Sequence, residues 1–190
     1  MPSINLIFDG DSQTKRGHYS AKTIELLKAA GYTNIVSSNF AVSGQNTNNM
    51  ISDASVQVVP SFNSKYKKNI VCYWIGANDA IRDELTDTAK LYRYLRGYYL
   101  SMKKDGFVVL MINLPDANHH VGTNKINAFY SRERSKISDI YVNCRETGGA
   151  FEKNKNLQYY ETDGVHLNIA GFRYLASKYV YPKLKYYLSK

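Results

Sequence analysis

An α/β fold built on a doubly wound parallel sheet is what this sequence predicts, and three observations predict it. Short, β-branched apolar runs bounded by turn residues alternate with stretches of helical periodicity. Within the runs, successive positions are apolar rather than every second one, as in strands covered on both faces. Three polar loops, FDGDSQT (8–14), AVSGQNT (41–47) and GAND (76–79), each follow such a run directly. In an open parallel sheet, ligands sit beyond the carboxyl ends of the strands, so the three loops are expected along one edge.

The elements follow in order. INLIF (4–8) is the first strand. Ala21, Ile24, Leu27 and Ala30 mark one face of a helix over 19–30, stopped by Gly31. NIVSSNF (34–40) is the second strand, and the polar segment 45–68 reads as a loop followed by a short helix. NIVCYWI (69–75) is the third strand. A helix over 85–104 carries Leu85, Thr88, Tyr92, Leu95, Tyr99 and Met102 at spacings of three and four. FVVLMINL (107–114) is the fourth strand, followed by a less regular helical pattern over 124–147 with Ile126, Tyr130, Ile137, Ile140 and Cys144, ahead of Gly148-Gly149. LQYYE (157–161) is the weaker fifth strand. The last helix, 168–188, carries Ile169, Phe172, Leu175 and Tyr179, and Pro182 is expected to kink or end it. No repeat, low-complexity tract or linker interrupts the 190 residues, so residues 1–190 read as one domain, long enough to bury its own core.

Composition narrows the function classes. The formal charge is +9, but the lysines are scattered, with short clusters only at 65–68 and 183–190. No zinc-finger or RNP-type signature accompanies them, which argues against nucleic acid and for a solubilising surface. Two cysteines, Cys72 and Cys144, make no disulfide framework, and Cys72 inside IVCYWI reads as a small buried hydrophobe. MPSINLIF shows no basic region followed by a long apolar segment, and no run is long enough to cross a bilayer. The expectation is a cytoplasmic protein without stable membrane insertion, unless a leader has been removed or another export route is used.

Residues 8–14 carry the chemistry, and three readings compete for them. Asp9-Gly10 would suit a hairpin turn, but polar and basic residues follow instead of a second strand. Asp9 and Asp11 after an apolar strand resemble the D-x-D motif of the magnesium-dependent haloacid-dehalogenase phosphotransferases. Gln13 and Ile75 depart from that pattern, it supplies fewer oxygen ligands for a hard cation than that family's norm, and DGVHLN (163–168) is left without a role.

The third reading makes Ser12 an acyl acceptor. A serine hydroxyl needs a base to take its proton, and that base is typically a histidine oriented by a carboxylate. Asp163 and His166, three apart before the last helix, supply the pair. His18 reads as the start of the first helix, and the His119-His120 pair reads as surface loop residues within reach of a substrate. Acyl transfer also needs donors for the oxyanion. The candidates are the Ser12 N–H, the Gly44 N–H and the side-chain amide of Asn78.

With Gly10-Asp11-Ser12, Gly44, Gly76-Ala77-Asn78-Asp79 and Asp163-Gly164-Val165-His166 in that order, the chain resembles the SGNH (GDSL-type) hydrolases over residues 8–168. The resemblance implies a three-layer α/β/α flavodoxin-like fold with a five-stranded parallel sheet. It implies Ser12 as nucleophile, His166 as base, Asp163 as its orienter, and Ser12, Gly44 and Asn78 as the oxyanion hole. The G-x-S-x-G elbow of α/β-hydrolases is absent.

The expected enzyme is a cofactor-free, metal-free ester hydrolase working through an acyl-serine. Gln45, Asn46, Asn48, Asn49 and the many tyrosines suit sugar hydroxyls and ring faces. Removal of a small acyl group, such as acetyl, from a carbohydrate is therefore the expected reaction. A lysophospholipase or thioesterase activity is the alternative within the family. Gln13-Thr14 after Ser12 suggests a polar mouth to the site, and Asp9 either accepts a hydrogen bond in the loop or repels anionic substrates.

Overall fold

The computed structural model describes residues 1–81, 87–116, 121–152 and 157–190. Five parallel strands are β1 (Ile4–Gly10), β2 (Ile35–Asn39), β3 (Lys68–Trp74), β4 (Val108–Ile112) and β5 (Ile140–Val142). They lie in the order β2-β1-β3-β4-β5. The helices are α1 (Ser12–Lys15), α2 (His18–Ala29), α3 (Thr47–Gln57), α4 (Ala77–Ile81), α5 (Thr88–Lys104), α6 (Val121–Ile137), α7 (Ile169–Leu175) and α8 (Tyr181–Leu188). α2, α7 and α8 pack together on one face of the sheet, and α3, α5 and α6 on the other. This is the expected three-layer α/β/α arrangement. The order reverses between β1 and β3, so the loops after those two strands open a crevice at the topological switch point.

The central strands β1, β3 and β4 are buried almost throughout because helices cover both their faces, which is why they read as continuous apolar runs. β2 is an edge strand and is largely exposed, consistent with its polar IVSSN sequence. Cys72 and Cys144 are both buried, and burial pushes both thiols well above their ordinary range.

Several elements differ from the sequence expectation. The fifth strand is Ile140–Val142, whereas Leu157–Tyr159, expected to be that strand, is one turn of 3₁₀ helix. A three-residue strand is too short to show a period, so Ile140 and Cys144 continued a helical pattern by coincidence. The chain turns out of α6 at Ser138-Asp139, where the Asp139 carboxylate accepts the Val109 N–H at 2.8 Å and ties the turn to β4. Residues 45–68 hold a full helix near their start, α3, capped by the Asn46 side chain. The buried face of α2 is Tyr19, Thr23 and Leu27, rotated from the Ala21–Ile24 stripe. Tyr19 sets the rotation by packing edge-on to Phe8 and Trp74, with centroids at 5.6 and 5.5 Å.

α5 buries Leu91, Leu95, Tyr98 and Met102, while Tyr92 and Tyr99 flank that stripe; Leu85 lies outside the described residues. The last helical segment runs to Leu188 without ending at Pro182. One turn of π helix, Ala176–Val180, sits just before the proline, which has no N–H to give. Among the described residues no helix is long and apolar enough to cross a membrane.

Candidate active site

All three polar loops meet at the carboxyl ends of β1 and β3. Gly10 pairs with Trp74, the Asp11 N–H donates to the Trp74 carbonyl at 3.3 Å, and the Val42 N–H donates to the Gly10 carbonyl at 3.0 Å. α1 begins at once. Asp11 is its N-cap, accepting the Gln13 N–H at 3.0 Å, and this turn lifts the half-buried Ser12 out of the strand. The 41–47 loop is tied to the 76–79 loop by Thr47, whose N–H and hydroxyl both donate to Asp79, the hydroxyl at 2.9 Å. The Asn78 amide donates to the Gln45 carbonyl at 3.0 Å, leaving its second N–H for another acceptor. Gly44 takes φ +77°, a left-handed conformation suited to glycine.

Asp163 and His166 come from the other end of the chain. The segment is closed into a tight loop by the Glu161 N–H donating to the His166 carbonyl at 2.8 Å and by a bridge between Tyr160 and Leu167. His166 Nε2 lies 2.8 Å from Ser12 Oγ, and His166 Nδ1 lies 2.6 Å from Asp163 Oδ2. Asp163 Oδ1 also accepts the backbone N–H groups of Val165 and His166, both at 2.9 Å. Partial desolvation works to raise the Asp163 pKa, but the His166 ring and these N–H groups outweigh it and hold the carboxyl at about 2. The carboxylate is therefore ionised at neutral pH, which places the ring proton on Nδ1 and leaves Nε2 free to accept from Ser12.

The two acids of the first loop are buried scaffolding. Asp9 is 3 % exposed; it accepts the Gly10 N–H and the Tyr98 hydroxyl, each at 2.8 Å, so it bolts β1 to α5. Burial pushes its pKa up to about 6 against these two bonds. Asp11 is 1 % exposed, and burial, with the Asp79 charge adding to it, pushes its pKa up to about 7. The Gln13 and Ala77 N–H groups offset only part of that rise. Neither carboxyl faces solvent as a phosphoryl acceptor would, and Asp9 serves an internal hydrogen bond rather than repelling substrate.

A pH dependence follows. Above about pH 4 the unfolded chain has released these protons, while the folded protein holds them to about pH 6 and 7. The two groups therefore make stability fall as pH rises from about 4 to about 7. Asp163 acts in the opposite sense, its contribution being lost as pH falls from about 4 through about 2. Urea midpoints of Asp9→Asn are expected to change less between pH 4 and 6 than those of the unsubstituted protein; an unchanged slope would show that Asp9 is ionised throughout.

Other sequence expectations need correction. Gln13 does not form a polar mouth: it is 3 % exposed and bonded to the His166 loop, its Nε2 donating to the Val165 carbonyl at 2.9 Å. Gln45 is also buried, bonded to Asp53 at 2.9 Å. Asn46 serves as a helix cap, while Asn48 and Asn49 are exposed on α3. Six tyrosines, Tyr19, Tyr32, Tyr73, Tyr98, Tyr130 and Tyr179, are core residues, so the tyrosine count is in part a packing feature. His18 does begin α2. His119 and His120 lie outside the described residues. Sequence reading missed Tyr98, Thr47 and the Arg16–Glu161 ion pair, which links α1 to the His166 loop. All three act through partners more than 30 positions away, and no local pattern announces them.

Glu161, Asp163 and His166 hold potential metal-ligand atoms within 4.8 Å of one another. Arg16 occupies Glu161, and Asp163 and His166 engage each other, so these atoms are already committed. A small cleft, partly open to solvent, is bordered by Gln13 and Val165, the chain neighbours of Ser12 and His166. It is lined by Trp74, Ala77, Ile81, Leu114, Pro115 and Val165, together with Gln13 and Thr123.

The profile of the GDSL-like lipase/acylhydrolase family matches residues 7–179. The chain belongs to this family. Its reaction class is therefore that of a carboxylic ester hydrolase, and the phosphotransferase reading of Asp9 and Asp11 is set aside. No curated protein sequence matches the chain. Solved structures similar to this GDSL-type chain include Axe2, an acetylxylan esterase from Geobacillus stearothermophilus (19% identity, 90% of each chain, TM-score 0.72). The psychrotrophic esterase EstA from Pseudoalteromonas sp. is another (13% identity, 98% of this chain and 99% of that one, TM-score 0.75). A lipase/acylhydrolase from Enterococcus faecalis is a third (15% identity, 91% of each chain, TM-score 0.70). At these identities the likeness speaks for the fold, which the GDSL-type chain shares along nearly its whole length.

Proposed function

We propose that this GDSL-type hydrolase removes small acyl groups, acetyl foremost, from a carbohydrate through an acyl-enzyme on Ser12. The observation that carries the catalytic part is the continuous chain from Ser12 Oγ through His166 to Asp163, with links of 2.8 and 2.6 Å. Ser12 attacks the ester carbonyl while His166 Nε2 takes its proton. His166 then protonates the leaving alkoxide as the carbonyl–oxygen bond breaks; in the second half it takes a proton from the attacking water and returns it to Ser12 Oγ as the acyl–Oγ bond breaks and the acid leaves. Asp163 holds the ring and stabilises the imidazolium. The N–H groups of Ser12 and Gly44 and the remaining amide N–H of Asn78 serve the oxyanion, each donor contributing on the order of 10²–10³ in rate.

Acyl size is the finer part of the reading. The small, largely apolar cleft bordered by Gln13 and Val165, the chain neighbours of Ser12 and His166, favours a short acyl chain, and among proteins of this fold Axe2 is an acetylxylan esterase. A series of p-nitrophenyl esters with an acetylated xylo-oligosaccharide tests it. The expected result is kcat/KM highest for acetate, at least tenfold lower for octanoate, and acetate release from the oligosaccharide. Preference for long chains would overturn the reading in favour of a lysophospholipase or thioesterase.

A further inference from the structure

We infer that Gln13 is a positioning residue that sets the distance between Ser12 and His166; the inference rests on the Ser12 reading above. Gln13 follows Ser12 directly, and its side chain is buried across the gap to the other reacting segment. Its Nε2 donates to the Val165 carbonyl at 2.9 Å, and its Oε1 accepts the Leu167 N–H at 3.3 Å. One amide thus grips the peptide groups on both sides of His166, from a residue adjacent to Ser12 and more than 150 positions away in sequence.

The need for such a grip follows from how the two partners are built. Ser12 rides on a four-residue helix, and His166 on a loop that is closed on itself through Glu161, Asp163 and Tyr160. Internal closure shapes that loop but does not place it against α1. Among the described residues, besides the Ser12–His166 bond itself, two polar contacts do so: the exposed Arg16–Glu161 ion pair and the buried Gln13 amide. An exposed ion pair is screened and weak, which leaves the amide as the directional link. Donor and acceptor are both used, in opposite senses, so neither an apolar residue nor a carboxylate can make both bonds.

Displacing a reacting group by about 1 Å can cost on the order of 10² in rate. Gln13→Leu, which fills the space without either bond, is therefore expected to lower kcat by roughly 10–100-fold with KM within about twofold of the parent value. Gln13→Glu gives the decisive readout, and it decides the matter should the leucine variant not fold. In its neutral acid form the substituted side chain donates to the Val165 carbonyl and accepts from Leu167. Once ionised, it loses the donor and sets a charge against that carbonyl. The variant should keep kcat near the parent value at low pH and lose it, with a new alkaline limb, as the pH rises. A loss without that limb, or one expressed in KM alone, overturns the inference. The same assay on Ser12→Ala separates the two readings. If Ser12→Ala is inactive while both Gln13 variants keep the parent kcat throughout, only this inference falls. If Ser12→Ala remains active, the Ser12 reading falls and takes this one with it.

Discussion

Ser12→Ala is expected to lower ester turnover by roughly four to six orders of magnitude while leaving the fold intact. The hydroxyl's partner is His166 Nε2, and Ser12 is only half-buried, so its removal opens no core cavity and strands no buried donor. The groups that shape the turn remain: the Asp11 cap, the Gln13 amide and the Gly10–Trp74 pairing. Melting temperature should therefore stay within a degree or two. The residual rate measures what the oxyanion donors and binding contribute without a nucleophile. Acetate release and acyl-enzyme trapping by mass spectrometry check both halves, and turnover at the parent rate would falsify the assignment of Ser12.

The largest stability effect belongs to Gly10→Ala. Gly10 has φ +139°, a region that side chains disfavour, and a Cβ there would lie 2.0 Å from the Trp74 carbonyl oxygen. That oxygen belongs to the adjacent strand and accepts the Asp11 N–H, so it cannot swing aside as a flexible side chain would. Relief requires β1 and β3 to part at their carboxyl ends, under the Ser12 turn. Backbone strain and overpacking together are expected to cost about 3–5 kcal/mol. For a chain of this size that is a fall in Tm of roughly 10 °C. Urea and thermal unfolding measure it against Gly97→Ala, where nothing lies within 4 Å of the new Cβ. A Gly10→Ala protein as stable as the Gly97 control would mean that β1 and β3 are less closely apposed at that point. If it folds, its activity should fall more steeply than its stability alone explains, because Ser12 moves with the strand end.

These two positions show what was legible in the amino-acid order. Gly10, Ser12, Gly44 and Asn78 stand in short motifs after strands, and Asp163 and His166 in one before α7, so their residue types and order were enough to disclose an ester hydrolase of the GDSL type. The central strands were equally plain, because burial on both faces writes an unbroken apolar run into the chain. β5 was not, since three residues carry no period and helical spacing ran across them. Gln13, Gln45 and Asp9 look from their polarity like residues facing a substrate. Each is buried instead and hydrogen-bonded to a partner between 1 and 154 positions away, although the Oε1 of Gln45 is left without one.

Residue type and spacing alone were sufficient for the reaction class and for the layered α/β architecture, because reacting groups and two-sided burial are local properties of the chain. They could not tell the polar residues that serve the reaction from those that hold the scaffold. That distinction arises in three dimensions, from who meets whom across the sheet end: Tyr98 on Asp9, Thr47 on Asp79, and Gln13 on both sides of His166. Burying a polar group costs free energy unless such a partner is in place, and these partners are supplied by the folding of distant segments together rather than by the neighbours in the chain.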